Sequence, residues 1–323
     1  MFDRGRIVFG SLFNREHKIF ASSVKQLDSE IDEYKNPGLD ALVEKITEAR
    51  KKNRPVIWMM GAHVIRRGNS MFIIDLMKRG IITHVATNGA GAIHDFELSC
   101  YGATCEDVER YIKHGQFGNW EETGRFINEA VKSGYDDGLG YGGAVGKAIS
   151  DHVPWFKHLS IFMNAYELGV PITVHKGIGC DITDQHPSAD YEVLGGASGR
   201  DFLTFADSVS KLEGGVFLNL GTQVMGPEIY LKALSMARNV ASRHFRMISN
   251  FTTAVFDIVD LGDNHPGEAG WKKEDDLQTP SYYFRPKKTI LIRTVKDGGQ
   301  SYYIKGDFAV TVPNLYKKII ERI

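Results

Sequence analysis

The chain has 323 residues, 42% of them hydrophobic and 24% charged, and a formal net charge of −1. This length supports a sizeable core in one large domain or two, and the near-neutral charge gives no electrostatic basis for a nucleic-acid partner. Three cysteines without a C-x-x-C pair exclude a disulfide framework and a cysteine zinc site; with no apolar stretch of membrane-spanning length and no signal-like apolar core near Met1, a reducing, cytoplasmic setting without membrane contact is expected.

Residues 1–54 read as lead-in helices packed on a core domain of residues 55–323. Leu39 to Lys51 carries Leu42, Ile46 and Ala49 at the spacing of one helix face. Pro55 to Met60 is an apolar run of strand length ending at Gly61-Ala62-His63. Ser70 to Lys78 reads as a helix stopped by Gly80. Ile81-Ile82-Thr83 then leads into the run from His84 to Glu97, which bends through Gly89 and Gly91 before a helix-like segment headed by His94, Asp95 and Glu97. Glu106 to Lys132 is polar and helix-rich. Gly134 to Gly146 is loaded with glycine and reads as a mobile loop over a site, or a linker. Ser160 to Leu168, Asp201 to Leu212 and Glu228 to Asn239 read as helices. Pro171 to Val174, Val216 to Leu220, Thr253 to Asp260 and Thr289 to Thr294 read as strands, with a further one starting at Tyr302-Tyr303. The alternation predicts a single α/β domain: a central, mostly parallel sheet with helices on both faces.

Four apolar runs each end in a glycine-bearing turn with polar residues just beyond: Gly61-Ala62-His63, Asn88-Gly89-Ala90-Gly91, Gly179 to His186, and Gly221-Thr222-Gln223. In a parallel sheet these turns share one edge, forming a crevice suited to a dinucleotide, with backbone amides facing its phosphates. The strict G-x-G-x-x-G fingerprint is absent, because His94 stands where its third glycine would be. His63, His94, His186 and His265 fall at or near strand ends, but with the neighbouring acids they match no metal-ligand spacing, and no metal is expected. Asp181, Asp184 and Asp190 either cap their own backbone or contact a ligand. Glu268, Trp271, Lys272 and Lys273 put an acid, a flat aromatic and lysines in one loop. That set suits an organic ammonium ion and a Schiff-base lysine, or simply a solvated charged loop.

From about Pro55 to Leu315 these blocks resemble, in matching order, the deoxyhypusine synthase family. Gly61 to Gly68 is similar to its first cofactor turn, Thr87 to Asp95 to its small-residue turn, and Thr183-Asp184 with Asp190 to its paired aspartates. Gly221 through Arg238-Asn239 is similar to its glycine-rich strand and helix, Glu268, Trp271 and Lys273 to its Glu-x-x-x-Trp-x-Lys spacing, and Gly306-Asp307 to its Ala-Asp pair. The resemblance implies an NAD-binding fold, with the cofactor held by Ala62, His63, Arg66, Asn88, Gly89, Ala90, Gly91, Asp95, Asp184, Gly221, Thr222, Gly306 and Asp307. It also implies a small-molecule amine substrate such as the polyamine spermidine, held by Asp190, Glu268 and Trp271. Glu228 or His94 would be the general base, Lys273 would carry the covalent aminoalkyl intermediate, and the protein would be a homodimer or homotetramer. Ile93-His94 departs from the family's two glutamates, the family's histidine after the glycine-rich strand is missing, and His186-Pro187 reshapes the aspartate loop. The block from Asn88 to Glu97 also resembles archaeal ornithine-cyclodeaminase-like proteins. That likeness implies an NAD-dependent cyclodeaminase or dehydrogenase of an amino acid; a non-catalytic NAD-binding protein is the remaining alternative.

Overall fold

The computed structural model describes residues 2–262 and 279–323. Among these residues six strands form one parallel sheet: β1 (Val56–Met60), β2 (His84–Thr87), β3 (Ile172–Val174), β4 (Val216–Leu220), β5 (Thr252–Asp257) and β6 (Gln300–Lys305). Their spatial order is β3-β2-β1-β4-β5-β6, and every neighbouring pair is parallel. This is a doubly wound α/β fold. It follows from the sequence because β1 to β5 are buried at every position, which only a sheet covered on both faces satisfies.

The covering helices are α1 (Pro37–Lys51), α2 (Ser70–Lys78), α3 (Gly89–Tyr101), α4 (Glu121–Asp136), α5 (Tyr141–His152), α6 (Ile161–Leu168), α7 (Tyr191–Ser210), α8 (Met225–Ser242) and α9 (Phe308–Ile320). Alternate residues of β1 divide the core. Val56, Trp58 and Met60 join the cluster under α1, α2 and α9, whereas Ile57 and Met59 join the cluster under α7 and α8. Among the described residues no helix is long and apolar enough to cross a membrane.

Three local expectations are corrected. Gly134 to Gly146 is neither a mobile loop nor a linker: most of it lies in α4 and α5, where a Cβ on Gly134 would overlap Ala144 and one on Gly142 would overlap the Ile172 carbonyl. Its glycines let helices pack closely against each other and against β3. Thr289 to Thr294 is not a strand; Lys287–Arg293 forms a π-helical turn with Ile290 and Leu291 buried, while β6 takes the sheet position beside β5. A short apolar run buried all round carries no period that separates the two forms. Finally, α3 begins at Gly89 and α7 at Tyr191, both earlier than the apolar pattern indicates, because side-chain caps on Asn88 and Asp190 set their starts.

Candidate functional site

A parallel sheet puts the carboxyl ends of its strands on one edge, and the strand order reverses between β1 and β4, the position where open α/β sheets place their ligands. The turns touch. Gly61 N donates to Leu220 O at 2.9 Å, and a Cβ on Gly61 would overlap the Gly221 carbonyl. Gly221 has φ +63°, and a Cβ there would lie 2.7 Å from the Phe308 ring. Thr222 locks the second turn: its hydroxyl accepts from Gly226 N (2.9 Å) and its carbonyl from Asn219 Nδ2 (3.1 Å). The backbone amides of Ala62, His63, Thr222 and Gln223 donate to no protein acceptor among the described residues. Open amides beside two glycines that admit no side chain make a cradle for an oxyanion.

The turn after β2 is different. Asn88 Oδ1 accepts from Gly91 N at 3.0 Å, and the Asp181 carboxylate packs on Gly89 and takes the Ala90 amide. Lys176 Nζ bridges Asp181 (2.8 Å) and Asp184 (2.7 Å), with its side chain 1% exposed. Burial raises the Asp181 carboxyl while Lys176 and the Ala90 amide draw it back down. Asp184 also accepts from Gly179 N at 2.7 Å. Asn88, Gly89, Ala90, Gly91 and Asp184 therefore lie at the expected edge, but the start of α3 is already filled by the protein's own carboxylate.

Three ionisable side chains share the corner between the β1 turn and α3. Arg66 Nη1 lies 3.2 Å from His63 Nε2, and both residues act electrostatically on His94. Burial lowers the His63 imidazole, with Arg66 and Arg67 adding to the effect. His94 is pushed down to about 4, mainly by burial. Burial thus favours the neutral imidazole in both rings. Asp95 does not face this corner, which corrects its placement among the cofactor contacts. Its carboxylate accepts from Ser160 Oγ (2.5 Å) and Ile161 N (2.7 Å) at the start of α6, and burial raises it to about 7.

The other anticipated residues separate. Asp190 Oδ1 caps α7 through Glu192 N (3.1 Å) and Val193 N (3.2 Å). Asp307 caps α9 through Ala309 N and holds Arg67 in a two-pronged pair at 2.9 and 2.6 Å, so the Gly306-Asp307 turn does meet the β1 turn. Glu228 sits in the first turn of α8, paired with Lys232 and with Arg285 (2.8 Å); Lys232 holds its carboxyl below the usual range, which weakens it as a base. His186 is tied to Glu121 and Ser188 in the core. His265, Glu268, Trp271, Lys272 and Lys273 lie outside the described residues. Sequence reasoning missed His175 and Lys176 at the end of β3, where His175 lines a cavity of about 280 Å³ with Ile178, Ser198, Phe202 and Ile229. The available signal was a lysine directly after an apolar strand with two acids in the following loop. Larger hollows, of about 390 and 600 Å³, open at the amino edge of the sheet and touch none of these groups.

No protein-family model and no curated protein matches the sequence. Solved structures do resemble the fold. AgrE in complex with ornithine and NAD+ superposes with a TM-score of 0.51 at 12% identity over 90% of this chain and 34% of AgrE. ArgZ, an arginine dihydrolase from the ornithine–ammonia cycle in cyanobacteria, gives 0.52 at 10% identity over 88% of this chain and 33% of its own. A conserved protein of Methanococcus maripaludis S2, provisionally named LOR/SDH, gives 0.51 at 16% identity over 91% and 73%. The chain thus spans about a third of the length of AgrE and ArgZ, and at these identities what is shared is the fold. A protein of Entamoeba histolytica provisionally named deoxyhypusine synthase reaches only 0.40, which carries no argument for that family.

Proposed function

We propose that this protein is an NAD-dependent enzyme that oxidises a carbon bearing an amine, in an amino acid or a small amine. The observation that carries the reading is the meeting of the β1 and β4 turns at the point of strand-order reversal, where Gly61 and Gly221 touch and the amides of Ala62, His63, Thr222 and Gln223 have no acceptor among the described residues. The fold shared with AgrE, which was crystallised with ornithine and NAD+, supports it. Ala62, His63, Gly221 and Thr222 would hold the dinucleotide phosphates, and Arg66 would add a positive charge. When bound, NAD+ supplies the hydride acceptor.

The chain's own residues do the rest. Gly61 and Gly221 let the two turns and the Phe308 ring pack in contact. His94, a neutral imidazole beside the cradle, is the candidate acceptor for the proton of the substrate ammonium, with Glu228, held as a carboxylate by Lys232 and Arg285, as the second candidate. If the Lys273 amine attacks the resulting imine carbon, the bond from that carbon to the substrate's own nitrogen breaks, that nitrogen leaves as an amine, and the aminoalkyl group stays on the lysine as an imine, ready for transfer in the deoxyhypusine synthase manner; otherwise internal attack or water completes cyclodeamination or dehydrogenation. Glu268 and Trp271 would hold the ammonium end, since Asp190 is committed to the start of α7. Calorimetric titration with NAD+ tests the premise. Absorbance of the reduced cofactor with ornithine, arginine and spermidine then tests the chemistry. Absence of NAD+ binding refutes the reading, and binding without reduction on any amine leaves a non-catalytic NAD-binding protein.

A further inference from the structure

A line of buried groups runs from the N-terminal segment to the cradle. Arg15, 5% exposed, grips the fully buried Glu97 with both guanidinium nitrogens, at 2.9 and 2.5 Å. Glu97 Oε1 also accepts from Thr123 Oγ1 (2.7 Å) and Oε2 from Thr104 Oγ1 (2.6 Å). Thr104, itself fully buried, places the same hydroxyl oxygen 2.7 Å from His94 Nδ1. Burial opposes ionisation of Glu97, yet Arg15 and the hydroxyls outweigh it and hold the carboxyl below its usual value. Glu97 is therefore an acceptor only.

A threonine hydroxyl has one proton to give. Between Thr104 and an ionised Glu97 that proton has to lie on the Glu97 side, so Thr104 Oγ1 can only accept from His94. The imidazole proton is then on Nδ1, and Nε2 carries the free lone pair. We propose that Thr104 and Glu97 are positioning residues that hold His94 in the Nδ1–H tautomer, with Nε2 as its proton acceptor, and that Arg15 completes the arrangement by fixing Glu97 as an anion. This rests on the reading of His94 as the base. It adds that the N-terminal segment, through Arg15, is part of the site. The logic is that of any hydrogen-bonded histidine base, in which the partner on one ring nitrogen sets the state of the other.

The experiment is nitrogen-15 NMR of the histidine side chains in the full-length chain, with His94 assigned by the signal lost in His94→Gln. The expected wild-type spectrum shows a protonated Nδ1 and an unprotonated Nε2. In Thr104→Val the tautomers should mix, and kcat for amine oxidation should fall roughly 10-fold with little change in KM, the usual scale for losing a group that orients a reactive one. Thr104→Ser should restore both. Circular dichroism and melting of Thr104→Val separate this from misfolding, and should the valine variant not fold, the serine variant and the wild-type spectrum still decide. A protonated Nε2 in the wild type, or an unchanged tautomer in a folded Thr104→Val, overturns the proposal. The expected tautomers without reduction of NAD+ on any amine uphold the hydrogen-bond assignment and sink the oxidation reading alone.

Discussion

Replacing Gly221 by alanine tests the link between fold and cradle. Two costs arise. An L-residue at φ +63° loses about 1 kcal/mol relative to glycine. The new methyl would also stand 2.7 and 2.8 Å from two atoms of the Phe308 ring, so the buried ring has to withdraw by several tenths of an ångström. Forcing a methyl into a packed interior costs about 1–3 kcal/mol, giving a destabilisation near 3 kcal/mol. Gly80→Ala is the internal control, since Gly80 has φ +67° with nothing within 4 Å of a built Cβ and should lose only the backbone part, about 1 kcal/mol. Urea unfolding monitored by tryptophan fluorescence measures both. Calorimetry should also show Gly221→Ala binding NAD+ at least roughly 10-fold more weakly while Gly80→Ala binds as wild type, about 1.4 kcal/mol of affinity. Equal destabilisation of the two variants, or unchanged NAD+ affinity in Gly221→Ala, would refute the claim that this contact shapes the site.

Arg15→Met leaves Glu97 charged and buried without its partner, so unfolding free energy should drop by about 3–5 kcal/mol in denaturant titrations; a loss under about 1 kcal/mol argues against the buried pair. Stability should also depend on acid. His84, His94 and His175 are held near 3, 4 and 4, mainly by burial, so the stability from keeping them neutral is complete above pH 6.5 and drains away as pH falls toward 4. Asp95 and Asp201, raised to about 7, act in the opposite sense, since the fold retains protons that the unfolded chain has released. Three groups against two leave stability rising with pH, steepest near pH 5 and by at most about 1.4 kcal/mol per pH unit; a flat or falling curve there contradicts the burial of the histidines. Lys273→Ala should abolish borohydride trapping of substrate on the protein if that lysine is covalent; trapping that survives assigns the imine to another amine of the protein.

The strands and the shared edge of their turns were legible because fully buried parallel strands leave unbroken apolar runs, and tight strand-to-helix turns leave glycines. What those glycines face was not legible. Gly89 reads identically whether it admits a phosphate or, as found, the Asp181 carboxylate, because the two residues meet only through the fold. Glycine-rich sequence likewise means a loose loop or a close helix contact, and Gly142 against the Ile172 carbonyl is the second. Asp95 beside His94 was expected among the cofactor contacts. On a helix, adjacent side chains diverge, so one goes to the cradle corner and the other to the start of α6. Thr104 and Arg15 were invisible for the same reason, since Arg15 meets Glu97 across 82 residues of chain and no spacing rule reaches that far.

The Phe308 ring against Gly221, with neighbouring Asp307 gripping Arg67, has a bearing on biosynthesis. The first and fourth turns of the sheet touch directly, but the last turn joins them only when α9 docks. During translation the early strands can collapse well before that helix emerges, yet the cradle stays unfinished until residue 308 has cleared the ribosome. Completion of that contact is thus one of the last events in the chain's synthesis, and ribosome-stalled chains ending short of α9 would be compact but lack the Phe308 and Asp307 contacts to these turns.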